Sequence, residues 1–527
     1  MEESTNGKQK KGVSKGIIAL IVGAIVLVGG SAAAFMLLNA SPKASYFLAE
    51  KNTIEYVMEQ FENRYEPELS WYEKTQTGKS ASTLELSAAY NDPQANVGYG
   101  LDPAMFINNS SITIDAQTDM ENNQLYAGLT ANIGGMEIND IQLYLTEEKL
   151  LLGLPFLEEV IQMNDEDLGP LLYEVDPYMF TGDEKLGLET IFESAEGVVP
   201  EEDIEYLEEE YLQFIYEALP EEAFTSSNDT VDVNGESINS EKITLHLTEQ
   251  ELKDILTTVL DKMEKDERLK EIIKDQMTAQ QFGSSVYMDD EIELLMADFE
   301  TAISEAKQEL ATFQIPNGLT SIIWIDDNRV VQRDFVIELG PSTDELVMLS
   351  VKGSQLFTDN NQFFNYDLAF SDSYEEGSMN ISGDLNWDNN QATDFISLTV
   401  DDFAITYDGQ ETLEDGTRDF NRTFSLREPM SGGGSLIWSG NATYDNDQMN
   451  SEHSLSLETP DFSQDMFSLN ILTDGRIIDS IETLEPENVK DIGSMSAAEI
   501  QEYVEYEVTP SFQQWLFGIM AGGAMGF

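Results

Sequence analysis

The chain opens with an uncharged stretch, Gly16 to Leu38, behind Lys8, Lys10, Lys11 and Lys15. As a helix of 23 residues it would measure about 34 Å, enough to cross a hydrocarbon core of about 30 Å. Past it, Ala44 to Tyr65 sets Tyr46, Leu48, Ile54, Val57, Met58 and Phe61 at helical spacing. The period then changes to two. Ile112, Ile114 and Ala116 alternate with polar or small residues, as do Leu125, Ala127, Leu129, Ala131 and Ile133, and then Ile141, Leu143 and Leu145. Such alternation predicts antiparallel strands with one buried and one wet face, and Gly134-Gly135 supplies a hairpin turn.

Residues 155–317 read as a mainly helical insert. Glu201 to Leu219 places Ile204, Leu207, Tyr211, Phe214 and Ile215 on one face, between Pro200 and Pro220. Thr248 and Glu251 form a capping box ahead of Leu252, Ile255, Leu256, Val259, Leu260 and Met263. A third helix carries Ile292, Leu295, Phe299, Ile303, Ala306, Leu310 and Phe313. A hairpin at Asn234-Gly235, returning through Ile243, Leu245 and Leu247, interrupts the helices.

From 318 to 485 the alternation resumes, through Ile323-Trp324-Ile325, the Met379 to Trp387 run, and Phe420 onward to Ile471. Ile396, Leu398 and Val400 change phase at Asp401-Asp402 to Phe403, Ile405 and Tyr407, the mark of a bulge in one long strand. Ser431 to Ser435 reads as a loose hairpin tip. About eight to ten strands at this spacing predict one curved meander. The expected fold is α+β: an N-terminal transmembrane helix, then a large curved antiparallel sheet, half-barrel-like, with a helical insert. The expected organisation is a cytoplasmic tail (1–15), an anchor (16–38), a helix with a first strand run (39–154), the insert (155–317), the meander (318–485), and a C-terminal helix with an apolar tail (486–527).

Charge and composition add the compartment. The N-terminal lysines place residues 1–15 in the cytoplasm and the body outside, a single-pass membrane protein held through 16–38. The chain has no Cys, which removes lipidation, disulfides, thiolate metal sites and cysteine nucleophiles, and favours a bacterial envelope over a secreted eukaryotic domain. With 100 acidic and 27 basic residues the net charge is −73. That field excludes nucleic acid as a partner and makes weak divalent-cation association plausible. Trp515 to Phe527 is apolar but too short to span a bilayer.

Candidate chemistry is sparse. His246 and His453 are the two histidines, each on a strand and each read as structural; they leave zinc with almost no ligands. Ser304-Glu-Ala-Lys307 matches S-x-x-K but sits inside an amphipathic helix beside the core residue Ile303. Asp384, Asn386, Asp388 and Asn389, the pair Asp401-Asp402, and Asp445 with Asp447 offer oxygen ligands, though none has the calcium-loop register. No catalytic, cofactor or metal residue is assigned, and an enzyme is not expected.

The stretch Ser321-Ile-Ile-Trp-Ile-Asp-Asp-Asn-Arg-Val-Val-Gln-Arg333, with the order helix, strands, insert, meander, resembles the half-barrel of extracytoplasmic lipoprotein carriers and lipid-binding lipoproteins. The chain also resembles single-span surface proteins of Gram-positive bacteria. The first resemblance implies an open barrel with an apolar cavity, and hence a non-catalytic, membrane-anchored protein binding an apolar or amphiphilic envelope ligand such as a lipid. The alternative is a structural or interaction module of the cell surface, whose sheet is filled by its own helices and whose surface meets another envelope protein or polymer.

Overall fold

The computed structural model describes residues 41–91, 103–193, 200–280, 289–372, 375–428, 432–484 and 487–523. The expected tail (1–15) and anchor (16–38), and the last four residues of the apolar terminus, lie outside them. Among the described residues no helix is long and apolar enough to cross a membrane.

Two helices lead, α1 (Pro42–Arg64) and α2 (Glu66–Thr77). The Ser41 side chain caps α1 by accepting from the Ala44 amide, and Pro42 sits in the first turn, where its missing N–H costs no hydrogen bond. The first strands are β1 (Lys79–Tyr90), β2 (Ser111–Asp119), β3 (Gln124–Ile133), β4 (Met136–Thr146), β5 (Lys149–Gly153) and β6 (Val160–Asn164). A hairpin inside the insert gives β7 (Phe224–Val233) and β8 (Glu236–Leu247). The meander runs β9 (Leu319–Asp326), β10 (Arg329–Leu339), β11 (Val347–Thr358), β12 (Asn361–Ser371), β13 (Glu376–Asp388) and β14 (Gln391–Val400). It continues through β15 (Phe403–Glu414), β16 (Thr417–Arg427), β17 (Gly434–Asp445), β18 (Gln448–Glu458) and β19 (Phe467–Ile477), and β20 (Val489–Asp491) follows.

All twenty belong to one sheet. Strands β7 to β19 pair in chain order, β19 then pairs with β1, and β1 to β6 follow, with β20 added parallel to β6. The two strand runs expected from the sequence are thus one surface, joined where β1 lies between β19 and β2. Among the described residues no ladder joins β7 to β20, so the sheet ends in two edges.

The hairpins follow the turn chemistry. Asn234-Gly235, Asp327-Asn328, Asn389-Asn390 and Asp415-Gly416 all have positive φ, which short side-chain amides, carboxylates and glycine tolerate. The bulge expected at Asp401-Asp402 is instead a two-residue turn. Asp401 has φ 51° and Val400 pairs with Phe403 across it. A two-residue hairpin returns the chain on the same face, so its phase change looks in sequence like that of a bulge.

The helices α1 and α2 lie across the strands. Along the helices, Tyr46 meets Ser321 of β9, Thr53 accepts from the Val330 amide of β10, and Tyr56 reaches the Thr358 carbonyl of β11. Arg64 then meets Asp394 of β14, Glu68 meets Arg418 of β16, and Lys74 meets the Asn446 carbonyl in the β17–β18 turn. One helical turn of about 5.4 Å nearly matches one strand spacing of about 4.8 Å, so residues a turn apart reach successive strands.

The main core seals the start of this face. Tyr46 and Phe47 of α1, Ile215 and Leu219, and Leu252 and Val259 pack on Phe224, Ile243, Leu245, Ile323, Phe335 and Ile337, with Phe214 and Leu256 against them. The capping box of Thr248 and Glu251 forms as expected, while the Glu201 to Leu219 helix carries a π-turn at Glu208–Leu212. Phe299 packs with Leu260 and Ile303. The apolar terminus is helical over Thr509–Gly523, with Phe512 and Trp515 rings 5.4 and 5.6 Å from Phe156. The half-barrel with helices at its mouth is therefore corrected: the insert packs directly onto β7–β10, and α1–α2 cross the sheet as a rod.

Candidate functional site

Strand alternation gives β12 to β18 two chemically different faces. Asp394, Glu411, Arg418, Phe420 and Arg422 share the face that carries α1–α2, because their paired neighbours across the strands fall in phase. Thr393, Phe395, Asp408, Gln410, Asn421 and Thr423 point to the other side.

On that outer side two concavities of about 580 and 720 Å³ adjoin, sharing Thr393, Gln410 and Asn421. The first is lined by Asn361, Asp384, Asn386, Phe395 and Asp408 besides these. The second continues through Thr412, Asp419, Ser439, Asn441, Glu452 and Ser454. Together they form a trough from β12 to β18, about 29 Å across six strand spacings. No lysine, arginine or histidine lines it. Phe395, 42 % exposed, is flanked across the strands by Asp384 and Asp408. Asn361 Nδ2 donates to Asp384 Oδ1 at 2.5 Å, holding one carboxylate along the wall. Amides and hydroxyls in such a row both donate and accept, and carboxylates accept.

Directly behind the trough, on the helix side, lies a buried ionic network. Asp394 takes Arg64 in a fork, Nη1 to Oδ1 at 3.2 Å and Nη2 to Oδ2 at 2.5 Å. Glu411, fully buried, accepts on Oε1 from Arg422 Nε and Nη2 at 3.0 and 2.6 Å, and on Oε2 from Arg418 Nη1 at 3.1 Å. Arg418, itself buried, also donates to the Arg64 carbonyl at 2.6 Å. Three guanidiniums thus balance Asp394, Glu411 and Glu68. Burial pushes the Glu411 carboxyl up, but Arg64 and Arg422 together outweigh it and hold it below the usual carboxylate range. Burial pushes the nearby Tyr407 phenol up to about 12. A second pair, Glu50 of α1 with Arg333 of β10 at 2.5 Å, clamps the other end of the rod.

None of this network was assigned from sequence, since its partners lie far apart along the chain. A local signal was present: Arg418-x-Phe420-x-Arg422 puts two cations and an aromatic on the inner face of one strand.

The residues weighed from sequence fall elsewhere. His246 Nδ1 sits 3.1 Å from Thr320 Oγ1 on an exposed strand position. His453 is packed among Phe420 and Trp438. Lys307 pairs with Asp261 and Glu264 at 2.5 and 2.7 Å, so S-x-x-K there serves helix packing. Of the oxygen clusters, Asp384 and Asn386 line the trough, while Asn389 and Asp401 are turn residues. Among the described residues no group of three or more His, Cys, Asp or Glu side chains is placed to hold a metal ion.

No family model and no curated protein matches the chain. Solved structures that match include OccK11 (OpdR) of Pseudomonas aeruginosa, at 7% identity and TM-score 0.22 over 76% of this chain and 94% of that one. A BenF-like porin from Pseudomonas fluorescens matches at 7% identity and TM-score 0.23, over 75% and 96%. OprB of Pseudomonas putida matches at 6% and 0.21, over 76% and 93%. Likeness at this level carries no property of those proteins to this chain.

Several expectations are nonetheless corrected. The resemblance to lipoprotein carriers and to single-span Gram-positive surface proteins is set aside, because twenty strands form one sheet and the insert packs onto β7–β10 where a carrier would keep an apolar cavity. The single-pass anchor through 16–38, and the cell-membrane location with a cytoplasmic N-terminus built on it, are set aside with it: that segment lies outside the described residues, and no described helix can cross a membrane. The membrane-anchored lipid binder and its surface-module alternative fall with them. Over β7–β10 the sheet face expected to enclose a lipid is covered by Phe214, Leu256 and their neighbours, and the trough lies on the opposite face.

Proposed function

We propose that the protein is a non-catalytic binding protein whose trough across β12–β18 takes a linear polyhydroxylated chain, an oligosaccharide of neutral or amine-bearing sugars. The observation that carries this reading is the trough itself, a continuous row of amide, hydroxyl and carboxylate groups with Phe395 exposed among them and no basic side chain. Sugar hydroxyls suit donors and acceptors set on a rigid sheet, and the apolar face of a sugar ring suits an exposed phenyl ring. The carboxylates and the net charge of −73 repel uronic-acid or phosphate-bearing chains. The ionic network behind β14–β16 fixes the strands that carry the row, so the groups are positioned before any ligand arrives.

Titration calorimetry with neutral, amino-sugar and uronic-acid oligosaccharides of equal length tests this. Saturable binding of the first two and not the third is expected. Phe395→Ala should weaken binding by about tenfold or more, the weight of a stacked contact of about 1.4 kcal/mol, with melting temperature unchanged. No saturable binding by any of the three would overturn the reading.

A further inference from the structure

The half-buried histidine on the helix side of the sheet stands at the end of a chain of contacts that leads to α2. His453 of β18 faces Gly440 of β17, where a Cβ would run into the Glu452 carbonyl, and the Phe420 and Trp438 rings lie 5.4 and 5.8 Å from the imidazole. Trp438 Nε1 donates to His453 Nδ1 at 3.2 Å, so the imidazole is the acceptor there and is neutral in this arrangement. The Arg422 guanidinium lies over the Phe420 and Trp438 rings at 4.5 and 4.7 Å and donates to Glu411, which also holds Arg418. Arg418 in turn grips Glu68 of α2.

The charged and titratable groups toward His453 are Arg422 and Arg418 from β16, Tyr444 from β17 and Glu68 from α2; β19 presents Ile471 opposite it. The nearest charge is therefore a cation. Burial and Arg422 both act against a charged imidazole. A proton on Nδ1 would set two N–H donors against each other at the Trp438 contact and place a second positive charge beside Arg422.

We infer that His453 is a proton-operated latch: its protonation displaces Arg422 from Glu411 and frees α2 from β15–β18, while α1 stays held by Glu50–Arg333. The window is mild acid. Between pH 7.5 and 5.5 ordinary carboxylates remain ionised and Glu411 more so, while of the two histidines His453 is held below the ordinary imidazole value only when the latch is closed, so opening is favoured as pH falls below about 6.5. His246 is the other one in the chain, and it lies on the β8–β9 side, away from α2.

Hydrogen exchange on the full chain, corrected for the intrinsic pH dependence of exchange, reads the latch. Protection of residues 66–77 should fall several-fold from pH 7.5 to 5.5, with residues 46–56 unchanged. His453→Gln keeps an acceptor for Trp438 and takes no charge, so protection there should become independent of pH, whereas His246→Gln should behave as the parent. If the glutamine variant does not fold, NMR of the two histidine rings in the parent decides: the His453 titration should track the loss of α2 protection. Loss spread evenly over the chain, loss that survives His453→Gln, or His453 titrating without any change in α2 would overturn the latch.

Discussion

Arg418 of β16 and Glu68 of α2, 350 residues apart in sequence, meet through two parallel hydrogen bonds, Nε to Oε1 at 2.5 Å and Nη2 to Oε2 at 3.1 Å. The fork fixes the angle between rod and sheet as well as their distance. Its guanidinium is buried against the fully buried Glu411, so each charge depends on the others for compensation. Glu411→Gln would leave three guanidiniums facing two carboxylates. Removing one partner of a buried pair costs about 3–5 kcal/mol, and a loss of that order is expected in denaturant unfolding. Replacing Glu68, which is a quarter exposed, should cost distinctly less. Equal losses for both would mean that position in the network does not matter.

The same network sets an acid limit. Glu411 titrates below its unfolded value in the fold, so its contribution is fully present above the unfolded carboxylate pKa of about 4.3. It is lost as pH falls through the lower folded value. Stability of the parent should therefore drop across that acid range more steeply than stability of Glu411→Gln. Chemical denaturation at a series of pH values between 7 and 3 measures it; parallel curves would remove Glu411 from the account.

How much of this was legible in sequence depended on range. The α1 helix, the Thr248–Glu251 box and the Asn234-Gly235 turn rest on neighbours within four residues, and they stand in the fold as read. Asp401-Asp402 reads as a bulge and folds as a hairpin turn because the two share one local signature. The β1–β19 ladder had no local signature, since its members are joined only through the folded sheet. The trough was half visible. Asp384 and Asn386 read in sequence as oxygen donors for a cation, but their neighbours Phe395, Asp408 and Gln410 come from strands whose register only the fold supplies.

Several strand glycines carry an aromatic directly across from them. Gly383 pairs with Phe364, Gly377 with Phe370, and Gly353 with Tyr366, and in each case a Cβ would run into the facing ring. The ring covers backbone that glycine leaves bare. Gly383→Val should thus destabilise the protein by about 1–3 kcal/mol, the usual cost of overpacking, although valine is the better strand former. Gly383→Val combined with Phe364→Ala should recover part of the loss. A stabilised single variant would show that strand propensity dominates over the ring contact.

Salt should raise the melting temperature. A net charge of −73 on 527 residues cannot be paired by 27 basic groups, several of which are spent inside the sheet–helix interface. The excess lies on the surface, where screening contracts to about 8 Å at physiological ionic strength, while the buried network is shielded from it. Melting curves from low salt to about 0.5 M should climb and then level once the screening length falls below charge spacing. A flat series would mean that self-repulsion does not limit stability.

The sheet order predicts what a break in the chain would do. Residues 41–193 hold α1, α2 and β1–β6, while 200–523 hold β7–β20 and most of the insert. Each piece lacks what the other supplies. The first loses the β9–β18 surface that its rod lies on and leaves β1 with one neighbour; the second exposes the full β19 edge and strips the partners of Asp394, Arg418 and Arg333. An uncovered strand edge and unpaired buried charges are both destabilising. Produced separately, the two pieces should be aggregation-prone or partly folded. Mixed during refolding, they should form a one-to-one complex, because eleven registered residue pairs between β1 and β19, from Ser80–Ile477 to Tyr90–Phe467, and the two ionic clamps rejoin them. Size-exclusion chromatography with light scattering reads the complex. A 200–523 piece that is monomeric and melts like the whole chain would show that β1–β6 and the rod are an appendage, and that the β19–β1 ladder contributes little to the fold.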